Sequence, residues 1–408
     1  MRWHSTIAGM ALALIELVSP GVSFSQGLNL DSLIQLGWRQ NLNVLVSKEE
    51  TQVVAMDTVA ARIRKNPEVE FQANYNVAEP SKPKASVWLS NEFQGGLRHY
   101  QYLVAKTHSD LSRQIEKEKK ASLKFEITAA FYSWQILNQK KSLQKEVENR
   151  WQLLSRIATS KMKEGRLSQI DEAQAQLNYA RAKQHEMEIQ SEIMKTEIQL
   201  SFLTGSNLDS NQITPIRLDS LPEIAPLASL YELMKKQNPE LGAIQKEIEV
   251  KQQQIDLEKA LGRPPVTVAL GYEKETDGNQ LIGAGVKLPL QVFNRNQTGL
   301  AIAKGHLRVS EAQRRALETQ IKTDIATLVH GLNQLALRYR NYEKEIRVLS
   351  RKQLDLSEKG FVQGLLGIFE LSRVQEEFLA QELAALDILA AYYDQSNRLT
   401  KAVGVIAW

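Results

Sequence analysis

Apolar and polar residues alternate strictly in one short stretch of the chain, residues 66–77, "NPEVEFQANYNV". Its apolar positions include Val69, Phe71 and Tyr75, and its polar positions include Glu68, Glu70 and Gln72. A period of two predicts a β-strand with one apolar face and one polar face. A strand that covers a soluble core produces this pattern, and so does a strand of a membrane barrel with an apolar outside and a watery lumen.

The alternation recurs in two predicted β-hairpins, at about residues 67–93 and 265–290. In the first hairpin we expect residues 78–84, rich in Pro and Lys, to form a loop and the second strand to begin at Ala85. The second hairpin has the apolar positions Val266, Val268, Leu270 and Val286 and the polar positions Glu273 and Lys287.

A second pattern, with apolar residues at steps of three and four, predicts two very long helices at about residues 96–164 and 297–359. Gly and Pro are almost absent inside them, and at 1.5 Å per residue each helix is roughly 100 Å long. The steps indicate a coiled-coil-like seam. Return helices at about 168–203 and 368–403 are about half as long.

The chain contains a duplicated unit. The 46 residues from Leu30 lie without a gap on those from Leu227, so that Asn41 meets Asn238. The first repeat covers residues 26–204, the second covers 227–408, and a linker rich in Asn, Asp, Ser and Pro (205–226) joins them at mid-height. Each repeat consists, in order, of a leading helix, a hairpin, a long helix and a return helix. The leading and return helices together match the long helix in length.

The composition predicts that the protein is exported, and it excludes several classes of protein. Residues 1–25 have a basic start, an apolar run and small residues at the end, which favours a cleaved signal peptide; a frayed amphipathic helix is the alternative. The chain has no Cys, which excludes disulfides, thiol nucleophiles and lipid on a cysteine. The net charge of +4 is spread along the chain, so we expect no nucleic-acid partner.

Membrane strands would require several copies of the chain. Four strands of about ten residues can cross a thin bilayer, but about eight strands are the minimum for a closed barrel. Unpaired edges in lipid are prohibitively costly. A trimer with four strands per chain would close a barrel of twelve. The alternative keeps the hairpins as soluble caps on a helical bundle.

These features resemble the TolC-type outer membrane efflux factors over essentially the whole mature chain. The resemblance rests on the duplication, on "QNPEL" at 237–241 and on "KLPLQVFNRNQTGLAIAK" at 287–304, which is most similar to the heavy-metal (CzcC-like) RND efflux branch. It implies a mainly α fold with a small β part: long helical hairpins forming a coiled-coil-like α-barrel, and four transmembrane strands per chain in a twelve-stranded trimeric barrel. It also implies an outer membrane position in a Gram-negative bacterium, with the helices extending into the periplasm.

The resemblance also assigns roles to the two helix reversals, "EGRLSQID" and "QGLLGIFE". They carry a Gly-Leu-acid tip motif at the periplasmic end, where a periplasmic adaptor protein docks and the tube narrows. The matching tip residues are Gly165, Leu167, Asp171, Gly364, Leu366 and Glu370, followed by Arg373. We hypothesise that Glu370 and Arg373 pair between protomers and hold the gate closed, with simple helix capping as the alternative for each acid.

We predict a passive conduit and no enzyme, because no nucleophile-elbow motif or ligand-spaced histidine pair is present, and we expect no cofactor and no metal site. The predicted function is the outer membrane channel of a tripartite efflux system, with an inner membrane pump, for metal ions or small toxic compounds. Type I protein secretion by the same fold and a soluble periplasmic coiled-coil scaffold remain alternatives. Glu68, Glu70, Gln72, Glu273 and Lys287 would line the lumen. Val69, Phe71, Tyr75, Val266, Val268, Leu270 and Val286 would face lipid.

Overall fold

A computed structural model describes residues 27–76, 79–219, 221–275 and 277–405 of the chain. The side chains of residues 75–83 and 210 lie outside that description. The predicted signal peptide, residues 1–25, also lies outside the described residues.

Helices make up most of the described chain. They are α1 Leu30–Gln40, α2 Leu42–Ala60, α3 Leu97–Lys163, α4 Gln169–Thr204, α5 Leu227–Gln237, α6 Pro239–Leu261, α7 Gln297–Asn341, α8 Arg347–Gln363 and α9 Ile368–Val403. The strands are β1 Glu68–Asn76, β2 Glu79–Phe93, β3 Val266–Lys274 and β4 Gln280–Lys287. The predicted fold class, mainly helical with a small antiparallel sheet, is confirmed at this level.

The two long helices have the same length but differ in regularity. α3 runs for 67 residues without interruption. The second long helix, from Gln297 to Gln363, is interrupted by a π turn at Tyr342–Ile346, between α7 and α8. At 1.5 Å per residue each spans roughly 100 Å. Because its apolar residues recur on one side, each long helix packs along its return helix, α3 on α4 and α8 on α9.

The four strands form one antiparallel sheet in the order β1-β2-β3-β4. The central pairing, between β2 and β3, joins the two repeats, with Leu89 opposite Leu270. In the described part of the chain, the outer edges of β1 and β4 pair with no further strand.

The start of β2 corrects the sequence prediction. Residues 78–84 were expected to form a loop, but β2 already begins at Glu79, which pairs with Asn76 of β1. Its pairing with β3 begins only at Ala85, opposite Lys274. The residues before Ala85 therefore have no partner in β3, and their pairing with β1 is irregular, which is a setting in which strands tolerate proline, here Pro80 and Pro83.

Each leading helix, predicted as one element, is interrupted at an asparagine. Asn41 separates α1 from α2, and Asn238 separates α5 from α6. Each buried side chain accepts an N–H of the helix that follows and donates to the end of a return helix: Asn41 to the Leu203 carbonyl at 3.0 Å and Asn238 to the Ala402 carbonyl at 2.8 Å. One amide thus caps two helices, which compensates for the break.

Buried apolar clusters follow the long helices from about their middle to the tips. One lies in each repeat where leading, long and return helices meet, and a third lies around both tips. No described helix has the length and apolarity required for a membrane span.

Candidate functional site

The pairing register places the apolar strand residues together on one face of the sheet. Val69, Leu89, Leu270 and Ala284 form one cross-strand row, and Phe71, Val87, Tyr272 and Ile282 form the next. Val268 and Val286 pair with each other on the same face, and Val266 pairs with Phe93.

This apolar face is open to solvent in the single chain. Phe71 is 76%, Ile282 89% and Val286 73% exposed. A contiguous exposed patch of large apolar residues indicates a contact surface. The side chain of Tyr75 lies outside the described residues. Assignment of this face to lipid stays a prediction.

The opposite face brings together the five residues predicted to line a lumen. Glu68 shares a row with Ser90; Glu70 pairs with Trp88; Gln72, Ser86 and Glu273 form a third row; and Lys287 pairs with Thr267. Glu273 also forms an ion pair with Lys84. The face is polar throughout β1, but its role as a lumen wall stays a prediction.

Trp88 on this polar face was missed by the sequence analysis. Its ring covers Gly271 and Gly283, where a Cβ atom would lie 2.3 Å and 3.2 Å from ring atoms. The glycines of β3 and β4 therefore make room for an aromatic ring that extends over both strands, and larger side chains there would displace it. The signal was present in the sequence, as one Trp and several Gly at polar-face positions of the two hairpins.

Both helix reversals have the tight geometry predicted for the tips. Gly165 and Gly364 adopt left-handed backbone conformations, with φ of 71° and 82°. Leu167 and Leu366 pack on the same buried cluster around Trp151, so the structure brings the two tips together.

The acidic tip residues act as helix caps. The Asp171 carboxylate accepts the Ser168 N–H at 3.2 Å, and the Ser168 hydroxyl accepts the Asp171 N–H at 3.1 Å. Glu370 accepts the Gly367 N–H at 3.4 Å. Arg373 is exposed, and within the described chain no ion pair joins it to Glu370. The hypothesis of a pair between protomers is therefore untested, whereas capping is present.

Lys161 connects the ends of the two long helices and was not found from the sequence. Its ammonium donates to the carbonyls of Phe361 and Val362 at 2.8 Å and 2.9 Å and lies 5.1 Å from the Phe361 ring centroid. A cation at the carbonyl end of a helix is favoured by the helix dipole.

A polar network around the buried Glu382 surrounds the π turn of the second long helix. Arg347 donates to Glu343 at 2.6 Å and lies 3.4 Å from the buried Glu382 carboxylate, which also faces Arg351. The network borders a cavity of 480 Å³ between α3, the linker and α9. Burial raises the pKa of the Tyr342 hydroxyl, and burial together with the Glu343 carboxylate raises the pKa of Tyr339 to about 12.

The raised pKa of Tyr339 predicts a loss of stability at alkaline pH. The unfolded phenol has a pKa near 10, while the folded phenol has a pKa of about 12. The neutral phenol therefore contributes its full stabilisation below pH 10. Between pH 10 and 12 this contribution is lost, and the free energy of unfolding falls by up to about 2 kcal/mol. Denaturant unfolding at pH 9 and pH 11.5 should show a smaller drop for Tyr339→Phe than for the natural protein. Equal drops would contradict the assignment.

No metal-binding group of three acidic or histidine side chains occurs in the described part of the chain. His185, for example, lies at an exposed position 3.0 Å from the Glu188 carboxylate. Within the described residues, the structure forms three separate groups of candidate functional residues: the two faces of the sheet, the two tips and the network around the π turn.

Comparison with known proteins finds similarity to outer membrane efflux proteins. Residues 230–405 match the sequence model of the family "Outer membrane efflux protein". The cobalt-zinc-cadmium resistance protein CzcC of Cupriavidus metallidurans is 20% identical over 381 residues, which cover 92% of this chain and 90% of CzcC.

Solved structures share the fold along nearly the whole chain. A membrane protein from Pseudomonas aeruginosa superposes with a TM-score of 0.78 at 15% identity, covering 93% of this chain and 94% of that protein. CusC superposes with a TM-score of 0.76 at 14% identity, covering 92% of each.

In sequence and in fold the chain is similar to outer membrane efflux proteins, and the predicted resemblance is confirmed. Within that class, it shares with CzcC a similarity that extends through both repeats.

Proposed function

We propose that the protein is the outer membrane channel of a tripartite efflux system, a passive conduit through the periplasm. The observation that carries this proposal is the sheet at one end of the 67-residue helices, with one exposed apolar face and two unpaired edges. Lipid can solvate such a face, but unpaired edges in lipid must be closed by further strands.

Closure by three copies gives a barrel of twelve strands, an even number within the range of known barrels. The free edge of β1 in one copy would pair with the free edge of β4 in the next, which is a head-to-tail contact that closes a ring. The polar face would then line the water-filled interior.

The proposal for the cargo rests on the similarity to CzcC. CzcC is named for resistance to cobalt, zinc and cadmium. We therefore propose metal ions or small toxic compounds as cargo, with energy from an inner membrane pump coupled through a periplasmic adaptor at the tips. The substrate would pass through the lumen without a resident metal site.

Purification from membranes tests this proposal. The protein should require detergent for extraction, have the mass of three copies, and conduct ions after reconstitution in planar bilayers. Recovery of a single chain in the aqueous periplasmic fraction would contradict the proposal and favour the soluble scaffold. Sensitivity of a deletion strain to metals and dyes, measured beside protein export, separates efflux from type I secretion.

Replacement of Arg373 by Ala is expected to raise the conductance of the reconstituted channel several-fold. Without the arginine, the Glu370 carboxylates of neighbouring copies would repel one another and favour a wider tip. Single-channel recording measures this, and Arg398→Ala, an exposed arginine near the other end of α9, is the control. A double exchange, Glu370→Arg with Arg373→Glu, should restore closure. An unchanged conductance in Arg373→Ala would reject the pair.

A further inference from the structure

The connection from strand to long helix differs between the two repeats. Three residues, 94–96, join β2 to α3, whereas nine residues join β4 to α7. We call residues 288–296 the post-strand segment. It contains Leu288, Leu290, Val292 and Phe293, which are 50%, 83%, 64% and 91% exposed. The second repeat thus holds a group of apolar side chains in solvent that the first repeat lacks.

Internal hydrogen bonds fix the post-strand segment. The Val292 N–H donates to the Leu290 carbonyl at 3.0 Å, the Gln297 side chain donates to the Phe293 carbonyl at 3.1 Å, and the Arg295 Nε donates to the Gln291 carbonyl at 3.1 Å. These bonds define the backbone around Phe293. The exposure of its ring is therefore a property of a defined loop.

Asn296 attaches the end of the segment to α6. It has a left-handed backbone, with φ of 59°, and its side-chain amide donates to the Glu258 carbonyl at 2.9 Å and to the Glu258 carboxylate at 2.6 Å. A left-handed conformation costs a non-glycine residue energy, and here these two bonds compensate for it. The segment is thus held against the helices while its apolar residues face outward.

In sequence, the segment continues the apolar positions of β4 at the end of the sheet nearest the helices. Val286 of β4 is on the exposed apolar face, and the alternation proceeds through Leu288 and Leu290. Exposed arginines lie at the same end, Arg64 before β1, Arg98 in the first turn of α3, Arg263 before β3 and Arg295 in the segment itself.

The carboxylates of Glu68, Glu92 and Glu258 also lie at this end and keep their negative charge. Lys65 forms ion pairs with Glu68 at 3.8 Å and with Glu92 at 3.2 Å. Together with Lys65, the four arginines outnumber these three carboxylates, which gives this end of the sheet a positive surface next to an apolar one. This combination fits the interface of a bilayer that contains anionic lipids.

We propose that the post-strand segment is a lipid-binding anchor at the periplasmic leaflet of the outer membrane. Leu290, Val292 and Phe293 insert at the boundary between acyl chains and headgroups, and Arg295 binds the phosphate of an acidic phospholipid. The proposal rests on the proposed membrane position of the sheet and identifies the lipid class that its helix-side rim recognises.

Depth-dependent quenching tests the insertion. Because the chain has no Cys, single cysteines labelled with a fluorophore can be introduced at Val292, at Val268 on the apolar sheet face, and at the exposed Phe202 of α4 as the control. In vesicles of phosphatidylcholine and phosphatidylglycerol, shallow nitroxide lipids should quench the labels at 292 and 268 but not at 202.

The possible outcomes separate the two proposals. Quenching at 268 without quenching at 292 would overturn the anchor and leave the membrane strands intact, as would cross-linking of an unlabelled cysteine at 292 to a second copy. No quenching at either position would overturn the proposed function as well.

Lipid retention tests the role of Arg295. In Arg295→Gln, phosphatidylglycerol bound to the detergent-extracted protein, measured by native mass spectrometry, should fall about fivefold. Arg314→Gln, an exposed arginine in α7, should retain it, and Arg295→Lys should restore it. Phosphatidylcholine retention should not change. Equal phosphatidylglycerol retention in Arg295→Gln and in the natural protein would overturn the headgroup contact.

Discussion

Replacement of Leu270 by Arg is expected to lower the amount of protein recovered in the membrane fraction by at least about tenfold. Leu270 lies in the middle of β3, between Leu89 and Ala284, and is 58% exposed on the apolar face. An arginine at the midplane of a bilayer costs a barrel strand about 2–4 kcal/mol, and every copy in the ring carries that cost. Membrane flotation and immunoblotting measure the result.

The adjacent residue gives the matched control. Ala269 has the opposite orientation, between Ser90 and Gly285, where there is room for a longer side chain. Ala269→Arg should insert normally, because its guanidinium would reach the watery side. If both variants insert equally well, the apolar face does not contact lipid and the membrane barrel is refuted.

Replacement of Trp151 by Ala should destabilise the tip half of the molecule by about 3–5 kcal/mol. Trp151 is 4% exposed, in the buried cluster that also contains Phe361 and Ile368. Loss of the indole leaves a cavity at the place where the two hairpins meet, so both tips should loosen together. Hydrogen exchange of the backbone around Gly165 and Gly364 should increase, and the denaturant midpoint should fall.

Leu153→Ala is the matched control on the same helix. Leu153 is 59% exposed, so its truncation in a single chain removes little buried area. Faster exchange at only one of the two tips in Trp151→Ala would show that the cluster does not couple them.

Strand faces and tips could be predicted from the sequence because each depends on local rules. Alternation of Val69 and Phe71 with Glu68 and Glu70 determines which side chains share a face, whatever the partner strand is. Gly165 and Gly364 mark reversals because glycine adopts positive φ at low cost.

Other features could not be predicted because they depend on residues far apart in the chain. Trp88 covers Gly271 only after β2 has paired with β3, across more than 180 positions. Asn41 interrupts a helix because the end of α4 offers a carbonyl at that point. The contact of Lys161 with Phe361 requires both long helices to end at the same level.

The open edges of β1 and β4 restrict how copies of the chain can associate. In a closed ring β1 of one copy would pair with β4 of the next, so a single strand-to-strand register would set the whole circumference. Because side chains alternate, a slip of one residue would place the apolar residues of one strand on the same side of the ring as the polar residues of the neighbouring strand. Only slips of an even number of residues preserve the inside and the outside, and each such slip would change the tilt of the strands and the bore of the ring.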